Sequence, residues 1–524
     1  MPAVPCCSEV FGSFDCKSAR RTLGFLTRLV GVCVVTCEMG TATPAQAGGF
    51  EIPANGTEAL GRGGAFTAKA DSPLALEYNV AGLAKQRGTR ALFDNNLALS
   101  SYRFTRQGAD SFGDFPTVSA KTTTPFYAPW FGLSTDFGFF RRLTFALGIY
   151  GPSSIGRRTF PIFVPTQTGP DRPGPGRYDL ATTDLLIFFP TLAVGVRATR
   201  FLDVGFAVQQ VSAQIKLASM TYAPQSLPVF PASSVCSTQA EVAGCDSLTR
   251  FTGKSYDNYM LQWGALFHLG PDVDLGLNAR SASNLGARPI VVRGTVSATE
   301  PPYLQGAGIG AEKMDGEFTI NLPWVFRGGL RYGQTFSGVP LFDVELDVVY
   351  EAWSWLSGTD HTLSLLNPPP LVNKGQPTTL TLPHRYLDTV GVRLGGSFTV
   401  PVSATALATV RLGGFFDSSA SADADLRLDF DTLAKLGVSS GVGFSMRGVE
   451  VNLAYCYQHS LSRTVTDGQL RIIDGTTGQP AQLGGQTLAP VNNGTYSGST
   501  HLLSAGLTFR FDMWRAHPQQ APLW

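Results

Sequence analysis

Charge and long apolar runs are both scarce in this chain, and each shortage narrows what it can be. Only 15% of its 524 residues are Asp, Glu, Lys or Arg, and 40 basic against 39 acidic residues leave a formal charge of +1. So even a balance supplies no electrostatic grip on nucleic acid or on an anionic surface. Beyond residue 48 no apolar run approaches the ~20 residues of a transmembrane helix. If the chain enters a bilayer it does so as a closed sheet, the other architecture that satisfies every backbone polar group in lipid. Cysteine is nearly confined to the start: Cys6, Cys7, Cys16, Cys33 and Cys37 precede residue 38, leaving Cys236, Cys245 and Cys456. The six histidines (His268, His361, His384, His459, His501 and His517) are scattered. No Cys/His spacing suggests zinc, and no residue set suggests a metal, a cofactor or a catalytic centre.

The N-terminus has the order of an export signal. Lys17, Arg20 and Arg21 form a basic region, Leu29–Cys37 a short apolar stretch, and Ala45-Gln46-Ala47 an A-x-A cleavage site. About 9 apolar residues cannot cross ~30 Å of hydrocarbon, so residues 1–47 read as a signal peptide and not an anchor. In the oxidising compartment this implies, Cys236 and Cys245, close together in a polar stretch, are expected to form a disulfide, with two free thiols as the alternative. Cys456 reads as an inert small residue within a strand.

Glycine and aromatics are abundant, with 58 Gly, 35 Phe and 15 Tyr, and alternation at period two dominates the remainder. Phe342, Val344, Leu346, Val348 and Tyr350 alternate with Asp343, Glu345, Asp347 and Val349; Val449 to Tyr457 and Leu503 to Phe511 behave alike. A soluble sandwich alternates too. The run Asp343, Glu345, Asp347 and Glu351 on one face, opposite a continuous apolar face, is what a lipid-facing band around a polar interior requires. About fourteen strands are predicted after residue 88, including 125–138, 143–155, 203–218, 256–269, 273–294 and 313–331. Short connections (138–142, 199–202, 270–272, 448) alternate with long ones (106–124, 156–178, 219–255, 357–383, 464–498), as in outer-membrane barrels. Residues 512–524 follow the last strand as a short periplasmic tail.

Two matches to enzyme motifs are outweighed. Gly437-Val438-Ser439-Ser440-Gly441 fits G-x-S-x-G, but strand continues where a nucleophile elbow needs a helix. Gly306 to Ala311 has the spacing of a dinucleotide loop without its flanking strand and helix.

Residues 48–88 carry the most specific signal. Gly48-Gly49-Phe50 is followed by "EALGRGGAF" (58–66) and "NVAG" (79–82), then by the predicted barrel. In motif and order this resembles the outer-membrane long-chain fatty acid and aromatic-hydrocarbon transporters of the FadL/TodX type, with Val80 where that family usually has proline. "APWFGLSTDFGFFRRLTFALGIYGP" (128–152), "LPWVFRGGLRY" (322–332) and Ala352-Trp353-Ser354 extend the resemblance through the chain.

The resemblance implies an all-β transmembrane fold: an antiparallel outer-membrane barrel of about 14 strands (89–511) corked by a small N-terminal plug (48–88). It implies plug motifs at Gly61, Arg62, Gly63, Asn79, Ala81 and Gly82. Glu58, Arg62, Lys69, Asp71 and Glu77 are expected to pair with inward strand charges such as Arg393 and Arg411. A kink in the third strand that opens the wall would fall at Gly148, Gly151 and Pro152, where glycine permits a bend and proline lacks a donor; the alternative is that the strand simply ends there. Gly48, Gly49 and Phe50 would approach the ligand, with Lys216, Arg157 and Arg158 as candidate cations for a carboxylate. The expected function is passive import of a hydrophobic small molecule, a fatty acid or an aromatic hydrocarbon, by a bacterial outer-membrane monomer among lipopolysaccharide and outer-membrane lipids. A porin-like or structural barrel and an outer-membrane lipid hydrolase are the alternatives.

Overall fold

The computed structural model describes residues 54–121, 126–151, 157–166, 170–222, 235–239, 241–304, 311–336, 339–368, 375–475 and 477–511. The expected leader 1–47, the start at Gly48, Gly49 and Phe50, Pro152, most of the 306–311 match and the tail 512–524 lie outside the described residues.

Fourteen antiparallel strands close into a barrel. In chain order they are β1 (Thr89–Arg106), β2 (Phe126–Thr135), β3 (Leu143–Tyr150), β4 (Thr182–Arg197), β5 (Leu202–Tyr222), β6 (Asp246–His268) and β7 (Val273–Arg280). They continue with β8 (Trp324–Phe336), β9 (Val339–Ala352), β10 (Thr389–Ser403), β11 (Ala406–Asp417), β12 (Lys435–Met446), β13 (Val449–Val465) and β14 (Gly494–Phe511). Each pairs with the next, and β14 returns to β1 through a register running from Thr89 opposite Phe511 to Arg106 opposite Gly494. No described helix is long and apolar enough to cross a membrane.

Period-two alternation decides which face meets lipid. Leu346 and Val348 of β9 are 42% and 46% exposed, whereas Asp343, Glu345 and Asp347 between them are at most 6% exposed. The exposed side chains are the apolar ones, the inverse of a soluble core. Aromatic side chains collect at both ends of this band. Phe137, Phe139, Phe140 and Phe145 pack together at the short-turn end; Trp263, Trp324, Phe326 and Trp355 do so at the other. A two-residue turn joins β12 to β13 through Arg447 and Gly448, with φ of 49° and 85°; the two left-handed residues match the twist of the flanking strands.

Two predicted spans fuse separate strands. Residues 273–294 contain β7 and the start of a second strand, Ile290–Ala298; residues 313–331 contain Ala311–Ile320 and β8. The first break comes from consecutive left-handed backbone at Asn284, Leu285 and Gly286, the second from Asn321-Leu322-Pro323, where proline withholds a ladder donor. The predicted long connection 219–255 is shortened at both ends, because β5 and β6 continue past the aromatic ring to Tyr222 and Asp246. Above the barrel Ile290–Ala298 pairs with β6, Ala311–Ile320 pairs with Ile290–Ala298, His361–Leu365 pairs with Ala311–Ile320, and Thr378–Leu382 pairs with His361–Leu365, forming an outer sheet continuous with the wall. Cys236 and Cys245 are bonded to each other in the loop between β5 and β6, with Cα atoms 5.7 Å apart.

Residues 54–88 form short helical turns, Thr57–Leu60, Ala75–Tyr78 and the 3-10 segment Val80–Lys85, almost wholly buried against the inner wall. Elements this short do not stand alone in water; the wall holds them.

Candidate functional site

The segment 61–69 is held by one face of β9. The Arg62 guanidinium, with no exposed surface, donates to Asp343 and to Ser397, and lies 3.2 Å from Glu345. The Asp347 carboxylate accepts the backbone N–H groups of Phe66 and Thr67 at 2.9 Å each, and Glu345 accepts that of Ala68 at 2.6 Å. The acid stripe of β9 thus satisfies both a buried cation and three backbone donors that have no ladder of their own. Glu58 lies 3.2 Å from Lys69 and 3.6 Å from Arg411, as expected for a plug–wall pair. Arg393 behaves otherwise: its partner is Asp417, 2.7 Å away within the wall. Thr57 ties the seam, its N–H donating to Asp94 of β1 at 2.7 Å and its hydroxyl lying 2.6 Å from that of Ser504 on β14.

Close approach of the segment to the wall depends on glycine. A Cβ on Gly413 would stand 2.1 Å from the Arg62 carbonyl carbon, one on Gly395 2.0 Å from the Arg62 oxygen, and one on Gly205 2.4 Å from Val80. Gly441 packs directly on Gly61, where a Cβ would stand 3.1 Å from the Gly61 Cα. Around the barrel, inward glycines form a seat that a side chain would fill. Gly413→Val is expected to lift the segment and open the lumen. The measurement is release of a small hydrophilic dye from liposomes, rising severalfold, with Gly414→Ala, whose Cβ meets only one atom at 3.2 Å, changing little.

Asn79 caps the 3-10 segment, accepting from Ala81 N–H at 3.1 Å and donating to the Thr67 carbonyl at 3.0 Å. Val80 takes the first position of that segment, where proline's missing N–H is of no consequence, so valine keeps the turn. Gly82 packs so closely that a Cβ would stand 2.1 Å from the Ala70 oxygen, and Gly63 adopts φ 65°.

The third strand is interrupted. β3 pairs with β4 up to Tyr150 opposite Phe189, Gly151 lies outside the ladder, and Arg157 is again paired, opposite Asp184. The chain advances seven residues where its partner advances five, two more than a straight ladder takes. At the lip of the gap the Gly151 carbonyl accepts from Asn55 Nδ2 at 2.9 Å. Asn55 is held in turn by Tyr78, Glu77 and Asn96. Tyr150 donates to the Leu76 carbonyl at 2.8 Å, and Trp130, which stacks on it, donates to Glu77 at 3.0 Å. A Cβ on Gly148 would press on Leu76 at 2.7 Å. The buried segment and the end of β3 therefore share one set of contacts.

Above them the lumen turns apolar. A cavity of about 400 Å³ is lined by Leu217, Phe251, Phe318, Leu363, Leu380 and Leu382, with Arg427 and Arg385 among its polar lining. Phe251, Phe318 and Leu363 belong to one contiguous apolar cluster with Leu185, Ile187, Phe189, Val211 and Ile215 of the wall, and with Trp130, Tyr150, Leu74 and Leu76 at the gap. Arg427 pairs with Asp179 at 3.1 Å. Burial pushes the Asp179 carboxyl up to about 6 against the pull of Arg427, with Asp429 adding to the rise. The scattered histidines 361 and 384 meet here, ring centroids 4.0 Å apart, and His384 lies 2.8 Å from Asp429.

The candidate cations separate. Arg158 faces inward, over the Tyr102 ring at 3.7 Å, and donates to the Leu428 carbonyl. Arg157 is exposed. Lys216 is not a lumenal cation: its neighbours Ile215 and Leu217 take the inward positions, so strand alternation turns it outward, 63% exposed and 3.5 Å from Asp184. Gly437–Gly441 lies wholly within β12, Ser439 facing Gly413, with no strand-to-helix turn.

A family model described as outer membrane protein transport protein (OMPP1/FadL/TodX) matches residues 39–511. No curated protein matches the chain in sequence. Among solved structures, a FadL homologue of Pseudomonas aeruginosa is similar at 15% identity with a TM-score of 0.66, over 88% of this chain and 100% of that one. The toluene transporter TbuX of Ralstonia pickettii is similar at 16% identity with a TM-score of 0.57, over 88% and 100%. The toluene transporter TodX of P. putida gives 15% and 0.58, over 88% and 99%. At such identities the likeness is one of fold.

Proposed function

The chain belongs to the outer membrane transport protein family (OMPP1/FadL/TodX), outer-membrane transporters of hydrophobic compounds, and on that premise we propose that it imports long-chain fatty acids by lateral diffusion through the barrel wall. The observation that carries this reading is the apolar lining that joins the outer cavity to the gap in β3. A water-filled porin gains nothing from it, whereas each CH₂ removed from water is worth about 0.8 kcal/mol. Arg385, more than half exposed at the cavity, suits a carboxylate headgroup better than a neutral hydrocarbon.

In this reading the acid enters the outer cavity, passes along the apolar lining to Tyr150 and Trp130, and leaves beside Gly151 once the contacts of Asn55 give way. The domain organisation belongs to the same proposal: a leader at 1–47, a plug at 48–88, the barrel at 89–511 and a tail at 512–524, working as a monomer without cofactor or catalysis. Gly48, Gly49 and Phe50 precede Asn55 by a few residues in the chain; deleting 48–55 is expected to change uptake.

The test is uptake of labelled oleate and of toluene into liposomes carrying the purified barrel, alongside mass spectrometry of lipid retained through gentle extraction. Oleate entry and bound fatty acid support the proposal; toluene entry alone would assign an aromatic hydrocarbon instead. Leu363→Glu places a charge in the outer cavity and is expected to lower oleate uptake at least tenfold while the barrel remains heat-modifiable on gels. Unchanged uptake would remove the cavity from the path.

A further inference from the structure

The outward face of the extended strands carries a strip of cations directly above the lipid-facing band. On β6 the outward residues run Trp263, Leu261 and Tyr259; past an irregularity in the β5–β6 register they become Tyr256, Lys254, Thr252 and Arg250. Lys254 lies five residues beyond Tyr259, ~15 Å along a strand, which is the depth from hydrocarbon to headgroup. Neighbouring strands change at the same level: β5 from Phe206 and Val208 to Lys216, and the next strand pair from Leu277 and Leu285 to Arg288 and Arg293.

These cations outnumber the anions around them. Asp184 stands by Lys216 and Arg157, Glu317 pairs with Arg293 at 3.0 Å, and Asp257 and Asp315 are the other outward acidic groups among the described side chains of these strands. Among the described residues Arg250 and Lys254 make no ion pair. Lys254 and Arg293 are direct partners in the strand register, a placement of like charges that destabilises a sheet unless an anion lies between them. Arg293 and Lys216 are 69% and 63% exposed, open to such an anion.

We propose that this strip, centred on Lys216, Arg250, Lys254 and Arg293, docks the phosphates of lipopolysaccharide in the outer leaflet. Its acyl chains lie against Tyr259, Trp263 and Val208 while the glucosamine phosphates meet the cations one level higher. A diphosphorylated glycolipid presents two anions at opposite ends of its disaccharide, on the order of 10 Å apart, matching Lys216 and Arg293 on strands two spacings of ~4.8 Å apart; inorganic phosphate lacks the acyl anchor, and a phosphatidylglycerol offers a single charge.

The experiment compares the full barrel in detergent with K216Q/R250Q/K254Q/R293Q and with a control, R141Q/R200Q, whose changes lie in the short turns at the opposite end. Retained lipopolysaccharide is read by native mass spectrometry, and the shift in Tm by titration. Lipopolysaccharide is expected to raise the Tm of the parent and the control. It binds the quadruple variant on the order of tenfold more weakly or less, since each basic side chain at an anionic lipid surface adds to the attraction. Enzymatically dephosphorylated lipopolysaccharide, tested on the unmutated protein, is expected to lose the shift. The proposal is overturned if the dephosphorylated lipid works equally well, if phosphatidylglycerol vesicles or inorganic phosphate reproduce the effect, or if the quadruple variant binds as the parent does. Oleate uptake in plain phospholipid liposomes is expected to be the same for all three proteins, which separates this outcome from that of the transport reading.

Discussion

Arg62→Met is expected to unseat the plug and turn the barrel into a leak. The guanidinium is fully buried and faces Asp343 and Glu345. Removing it leaves Glu345 without its cation and Asp343 with Arg331 alone, 3.3 Å away, and breaking a buried pair in this way costs about 3–5 kcal/mol. The contacts from Asp347 to Phe66 and Thr67 sit one turn of chain away and cannot make up that loss. The barrel itself, closed by its own ladders, is expected to stay folded. Dye efflux from liposomes and single-channel conductance should therefore rise by an order of magnitude with the heat-modifiable band unchanged. The triple variant Arg62→Met, Asp343→Asn, Glu345→Gln removes the stranded charges as well, and most of the seal is expected to return. A triple variant that leaks like the single one would show that Arg62 acts by shape and not by charge.

Straightening the third strand is expected to abolish uptake without disturbing the barrel. Between Tyr150 and Arg157 the chain holds two residues more than β4 requires. Deleting Ser153 and Ser154, together with Pro152→Val to restore a donor, gives equal lengths on both sides and lets the ladder zip from Phe189 to Asp184. With that edge paired, a ligand at Tyr150 and Trp130 has no way into the bilayer. Oleate entry is expected to fall at least tenfold while fatty acid remains bound inside, a combination that blocked entry to the cavity would not produce. Uptake at the parent rate would send the ligand out by another route.

What could be read from the residues, and what could not, divides by range. The acid stripe at 343, 345 and 347 was legible because alternation alone puts three carboxylates on one side of one strand; their partner came from 58–69, whose charges were expected to meet inward strand charges. The pairing of Arg411 with Glu58 followed the same logic, whereas Arg393 found Asp417 two strand positions from where any local pattern points. Lys216 turned outward because parity, and not position near the rim, decides where a strand residue looks. The glycine seat went unread: each inward glycine occupies a polar slot in an otherwise ordinary alternation, and only the spatial ring reveals that they share one task. Inward glycine recurring on strand after strand was the available signal. The outer cavity was invisible for a plainer reason, since Leu217, Phe251, Phe318, Leu363 and Leu380 come from five strands that the topology alone gathers.

The hydroxyl of Thr57 has a consequence for how such a molecule is assembled. It reaches both the first strand, at Asp94, and the last, at Ser504. Those two strands are synthesised some four hundred residues apart and must find each other in a single alignment. A closure slipped by two residues keeps every outward side chain greasy and every ladder bond intact, so neither lipid nor backbone would object to it. Ser504, however, would be carried ~7 Å along the seam, and the threonine would be left holding one edge only. The cork therefore acts as an inspector of the zip, and correct alignment of the wall is checked from within by a segment that precedes every strand of it.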